Sequence, residues 1–217
     1  MKKTELVWRE LVEAAIVGGQ RRWENIDDLA FRAGVVPTTT NYALQRLVEI
    51  GAVRRHHAGF TLVNPDKALT LLCAARSIAN DIVWAGQMQE SEFRFVLSSL
   101  DERAVLGGAE AATELLGGRN TVADISEHLV YLRDADSLQW IAKNVPGEEF
   151  GGTSADAASS VRVTFLMADP RAARWWGRNT PFAQTYADLF ATPGWQASEF
   201  RLALGDRFLR VRDWDQE

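Results

Sequence analysis

Gly34-Val35-Val36-Pro37-Thr38-Thr39-Thr40-Asn41-Tyr42-Ala43-Leu44-Gln45-Arg46-Leu47-Val48-Glu49-Ile50-Gly51-Ala52-Val53 is the stretch whose reading decides the fold. Gly34 permits a left-handed reversal, and Pro37 with Thr38 opens a helix running to about Ile50. Ala43, Leu44, Leu47 and Val48 recur in it at the 3.6-residue period and point inward, so Thr39, Asn41, Tyr42, Gln45 and Arg46 point outward. Upstream, Asn25 caps a short helix through Ala33, with Asp27 and Asp28 at the positive end of its dipole and Ile26, Leu29 and Ala30 on its buried side. A short helix, a glycine turn and a longer helix make a helix-turn-helix. Before it, Val7, Trp8, Leu11, Val12, Ala15 and Ile16 give an amphipathic helix from Glu5 to Val17, ended by Gly18-Gly19. After it, Ala52 to His56 and Phe60 to Val63 flank Ala58-Gly59 and read as a β-hairpin whose first strand carries Arg54, Arg55, His56 and His57.

The same stretch closely resembles the recognition-helix segment of bacterial winged-helix regulators. The resemblance implies a helix in the major groove of double-stranded DNA and a wing on the backbone. The residue chemistry agrees, because Asn and Gln can pair bidentately with adenine, Thr offers a methyl and a hydroxyl, and Arg reads guanine or holds phosphate. Glu49 is the only acid between Pro37 and Asn64. The candidate DNA contacts are therefore Thr38, Thr39, Asn41, Tyr42, Gln45 and Arg46 on the helix, with Arg54, Arg55 and His56 on the wing. Winged helices also serve as protein-protein modules or as spacers in enzymes, and that alternative stays open.

Charge is distributed as a DNA-facing N-terminal part would require. The net charge is −5, yet residues 1–80 carry 11 Lys+Arg against 8 Asp+Glu, while residues 81–217 carry 13 against 21. Apolar residues at 47% and charged residues at 24% fit a globular chain able to bury a core, and 217 residues suit two modest domains. The single cysteine, Cys73, sits in an apolar run and allows no internal disulfide. Acids and Arg9 interrupt the N-terminal apolar residues, so neither a signal peptide nor a membrane span is expected and the expected location is the cytoplasm. His56 and His57 have only His128 as a further histidine, which leaves no metal-ligand spacing. No cofactor is expected.

Beyond the hairpin, Asn64-Pro65 opens a helix whose apolar stripe, Ala68, Leu69, Leu71, Leu72, Ala75, Ile78, Ala79 and Ile82, predicts a linking helix over 65–86. This stripe suits core packing or a homodimer seam on DNA. The rest reads as mixed: a helix from Ala109 to Leu116 closed by Gly117-Gly118, strands at Leu129–Leu132 and Val161–Met167, helices at Phe182–Ala191 and Gln196–Leu204, and a mobile loop from Gly147 to Ser160. The fold class is thus α+β, with a winged helix-turn-helix over 1–64, the linking helix over 65–86, and a mixed α/β regulatory or partner-binding domain over 87–217.

The segment Ala104-Val105-Leu106-Gly107-Gly108-Ala109-Glu110-Ala111-Ala112-Thr113-Glu114-Leu115-Leu116-Gly117 resembles the Gly-Gly-x-Ala-Ala helix of the AbiEi-type antitoxins and related two-domain winged-helix regulators. Ala183-Gln184-Thr185-Tyr186-Ala187-Asp188-Leu189-Phe190-Ala191-Thr192 resembles their C-terminal Tyr-x-Asp-Leu-Leu helix. The resemblance implies a repressor of its own promoter whose C-terminal part opposes a nucleotidyltransferase-like toxin. The segment with Trp140, Trp175 and Trp176 matches nothing in that family. A small-molecule-sensing regulator with an aromatic C-terminal pocket is the alternative reading. An enzyme is not expected: Gly107-Gly108 and Asp134-x-Asp136 resemble a nucleotidyltransferase's glycine pair and metal-holding carboxylates, but Asp134 lies 26 positions beyond Gly108 and the acids trail the strand.

Overall fold

The computed structural model describes residues 2–125, 127–145 and 160–210. It is a mixed α+β chain with two small sheets. The N-terminal part runs α1 (Lys3–Ile16), β1 (Arg22–Trp23), α2 (Ile26–Ala33), α3 (Pro37–Glu49), β2 (Val53–His56), β3 (Gly59–Leu62) and α4 (Pro65–Ala75). Local chemistry accounts for the helix ends. The Asn25 side chain accepts from Asp28 N–H at 2.9 Å, and Asn64 accepts from Lys67 N–H at 3.0 Å. Gly34, at φ 66°, ends α2 in the left-handed region.

The first sheet has the order β1-β3-β2 and is antiparallel throughout. Its hairpin turns on His57-Ala58, one residue before the expected Ala58-Gly59, and Gly59 already belongs to β3. Glycine is required there, since a Cβ at Gly59 would lie 1.9 Å from the Trp23 carbonyl oxygen. β1 has no counterpart in the sequence reading. Trp23 is buried and stacks on Phe60, with ring centroids 6.2 Å apart.

The expected linking helix over 65–86 is corrected: α4 ends at Ala75, a 3-10 turn spans Ile78–Asn80, and Ile82 lies in β4 (Ile82–Gln89). There follow α5 (Glu90–Leu100), β5 (Ala104–Leu106), α6 (Gly108–Leu115), β6 (Glu127–Leu132), α7 (Ala135–Asn144), β7 (Ser160–Met167), α8 (Pro170–Ala173), α9 (Phe182–Ala191) and α10 (Trp195–Phe208). The second sheet has the order β4-β7-β6-β5, with β6 and β7 parallel and both edge strands antiparallel to their neighbours. Strand alternation sends Val130, Leu132, Val163 and Phe165 to one face, under Phe93 and Val96 of α5 and Ile141 of α7. It sends Tyr131 and Leu166 to the other, with Ala173 and Trp176. Apart from Ser160, which begins β7, the loop expected over 147–160 lies outside the described residues.

The core does not break at residue 64 or 86. Leu11 and Val12 of α1 and Leu69 and Leu72 of α4 share one buried cluster with Phe182 and Ala187 of α9 and Phe200 and Leu204 of α10. A polar knot fastens the same junction. Arg76 donates to Asp188 at 2.7 Å, to Tyr131 Oη at 2.8 Å and to Asp81. Tyr131 Oη donates to Asp188 at 2.8 Å, and Gln184 donates to both. Burial alone would lower the Arg76 pKa, but Asp188, Tyr131 and Asp81 push it above its ordinary value.

Candidate nucleic-acid interface

α3 is oriented by what it buries. Ala43, Leu44 and Leu47 are fully buried, and the Trp8 indole donates to the Ala43 carbonyl at 3.0 Å, which fixes α3 against α1. The opposite side carries Thr38, Asn41, Tyr42 and Gln45, all exposed, at the spacing that makes one stripe along a helix. Tyr42 is 61% exposed. Thr39 is half-buried at the edge of the stripe, and Arg46 is exposed on the flank, 3.7 Å from Glu49. No acid lies on the stripe itself.

The hairpin meets this stripe through Arg55, whose guanidinium donates to Asn41 Oδ1 at 2.7 Å. That contact changes what Asn41 can offer. One lone pair of its oxygen is occupied, so its amide N–H groups are the more available chemistry, whereas Gln45 makes no side-chain hydrogen bond to the described residues. Arg54 and His56 do not join the stripe. By strand alternation they occupy the other face of the hairpin, where His56 Nε2 lies 3.1 Å from Thr61 Oγ1.

On that face the sheet adds a residue that sequence reasoning missed. Arg22 of β1 and Arg54 of β2 both pair with Thr61 of β3, so Arg22, Thr61 and Arg54 form a row across three strands. Both arginines are exposed, and the row presents cations at roughly twice the interstrand spacing of about 4.8 Å. The doublet Arg21-Arg22 before Trp23 was the available signal. Its two members differ in role: Arg21 donates to the Leu62 and Val63 carbonyls at 3.0 and 3.2 Å and anchors the end of β3.

The chemistry-bearing residues of the C-terminal part have structural partners. Asp134 is the N-cap of α7, accepting from Ser137 N–H and Oγ at 2.7 Å each, and those bonds hold its pKa below the usual value. Gly107 and Gly108 start α6. His128 pairs with Glu110 and packs on Phe93. Cys73 is buried, which pushes its thiol up to about 12. Among the described residues no helix is long and apolar enough to cross a membrane. No protein-family model, curated protein or solved structure matches the chain.

Proposed function

We propose that the chain is a transcriptional regulator that binds double-stranded DNA, its N-terminal part acting as a winged helix with α3 in the major groove and the β2–β3 hairpin as the wing on phosphates. One observation carries this reading: the exposed, acid-free stripe Thr38-Asn41-Tyr42-Gln45 is joined by the Arg55–Asn41 hydrogen bond to a basic hairpin. Amide and hydroxyl groups suit base edges, and the Arg22–Arg54 row suits phosphate, where charge without sequence preference supplies affinity. The acidic remainder keeps such binding confined to this surface. Repression and opposition to a nucleotidyltransferase-like toxin belong to the same proposal through the two antitoxin-like motifs, which lie on α6 and α9.

Titration of the whole chain against duplex DNA at several salt concentrations tests the reading. Affinity should fall linearly on a log-log plot with a slope reporting the phosphates neutralised. The Arg22→Ala/Arg54→Ala double variant should bind more weakly with a shallower slope. No binding to any duplex, including the chain's own upstream DNA, at about 50 mM salt overturns it.

A further inference from the structure

We infer that the cleft between α1, α2 and residues 170–181 is a binding site for a small aromatic carboxylate. The site stands apart from the DNA-binding stripe, and its existence does not depend on that reading.

The cleft has a volume of about 660 Å³, within the range of small-molecule sites. Its apolar surface comes from Leu6, Ala33, Ala172, Trp176 and Pro181. Two aromatic side chains at its lining are left largely in solvent, Phe31 at 71% and Trp175 at 62% exposure. Exposed rings beside a concave surface supply flat walls for another ring.

The polar groups choose the rest of the ligand. Trp23 is 2% exposed, yet its indole N–H, a donor only, has no hydrogen-bond partner among the described residues. A buried donor left this way is costly, and only an acceptor relieves it. Arg9, also in the lining, is a buried cation 5.8 Å from the Trp176 ring centroid. Burial pulls its pKa down despite Asp188 and Glu5 nearby, so an added anion is favoured beside it. The acids of the lining are placed differently. Glu10 lies 3.7 Å from Arg32, Glu13 accepts the Ala183 N–H at 2.7 Å, and Asp28 is exposed. Arg171, on the far wall, is paired with Asp169 at 2.7 Å. The unanswered buried group is thus the Trp23 donor, in a lining that also carries the buried Arg9 cation and Arg32 at 5.0 Å from the Trp23 ring centroid, and a carboxylate on a planar ring suits such a lining.

Calorimetry with indole-3-acetate, indole-3-acetamide and tryptamine holds the ring constant while the charge runs from negative through neutral to positive. The acetate should bind, with the acetamide about tenfold weaker and tryptamine weaker still. Trp23→Phe, which removes the N–H and keeps a ring, and Trp175→Ala at the solvent edge should each weaken the acetate about fivefold or more. If Trp23→Phe does not fold, as circular dichroism would reveal, Trp175→Ala carries the decision. Tryptamine binding as tightly as the acetate, no binding by any of the three at millimolar concentration, or wild-type affinity in every folded variant overturns the proposal. DNA is absent throughout, so failure here and failure of the DNA reading are separate results.

Discussion

Replacing Glu13 with Gln should stabilise the protein far more at pH 8 than at pH 5. Glu13 projects from α1 to the start of α9, where the Ala183 N–H donates to Oε2 at 2.7 Å. Pro181, the N-cap residue of α9, provides no side-chain cap, so a carboxylate 170 positions away does that work. Burial outweighs these bonds and raises the Glu13 pKa from 4.5 to about 7. Because the folded state holds the proton more tightly than the unfolded chain, stability from this group is full below pH 4.5. It is lost as pH rises toward 7 and stays lost above. At about 1.36 kcal/mol per pH unit the ceiling is about 3 kcal/mol, reduced by any water that reaches the carboxylate. Gln keeps an acceptor for the α9 amide and carries no charge to desolvate. Urea unfolding of both proteins at pH 5 and pH 8 isolates the effect, since every other titrating group is shared. An identical wild-type-to-variant difference at the two pH values would refute the argument.

Asp188→Ala should destabilise by about 3 to 5 kcal/mol in the same assay, because it removes the buried carboxylate to which Arg76, Tyr131 and Gln184 all donate, and a loss below about 1 kcal/mol would show the knot to be dispensable. Gln45→Ala should cost roughly 1 to 3 kcal/mol on a preferred duplex and little on random sequence, as equilibrium titration would show. Arg54→Ala should instead weaken all duplexes alike and lower the salt slope by about 1. A fragment ending at Asn80 should lose cooperative unfolding or bind a hydrophobic dye, since it leaves Leu11, Leu69 and Leu72 without α9 and α10. A sharp two-state transition with no dye binding would count against a shared core.

The N-terminal helices were legible because their signals are local. Asn25, Gly34, Pro37 and Asn64-Pro65 mark ends within a turn of where they act, and the inward residues of α3 follow from period alone. β1 was invisible because two residues carry no period, and with it went the Arg22 member of the basic row. The stripe from Ala68 to Ile82 continues the helical period past the true end of α4. What ends the helix is Arg76, extended at ψ 127°, with its guanidinium on an aspartate 112 positions onward. No local pattern encodes that partner. The same partner explains the acid in the Tyr186-x-Asp188 motif, which reads as one helical residue among others until Arg76 and Tyr131 are brought to it. Trp175 and Trp176 were likewise unplaceable, since one lies at the solvent edge of the cleft and the other is buried against Tyr131.

The two parts of the chain also finish each other's helices. Glu13 of α1 answers the N-terminal amides of α9, and in return Arg174, just beyond α8, donates to the Phe31 and Arg32 carbonyls at the C-terminal end of α2, joined there by the Trp175 indole. Orphan groups at a helix end are satisfied by whatever is nearest, so supplying them from a distant segment makes the position of that end depend on the segment. α2 leads through Gly34 directly into α3, and a Cβ at Gly34 would meet the Arg171 side chain at 3.0 Å, so the turn itself is packed against α8. The placement of the stripe on α3 is therefore set partly by residues 171–175. Of these, Arg171, Ala172 and Trp175 also line the cleft, as do Trp23 and Arg32. A ligand in the cleft would therefore lie against Trp175 and Arg32, at the end of the helix that leads into α3.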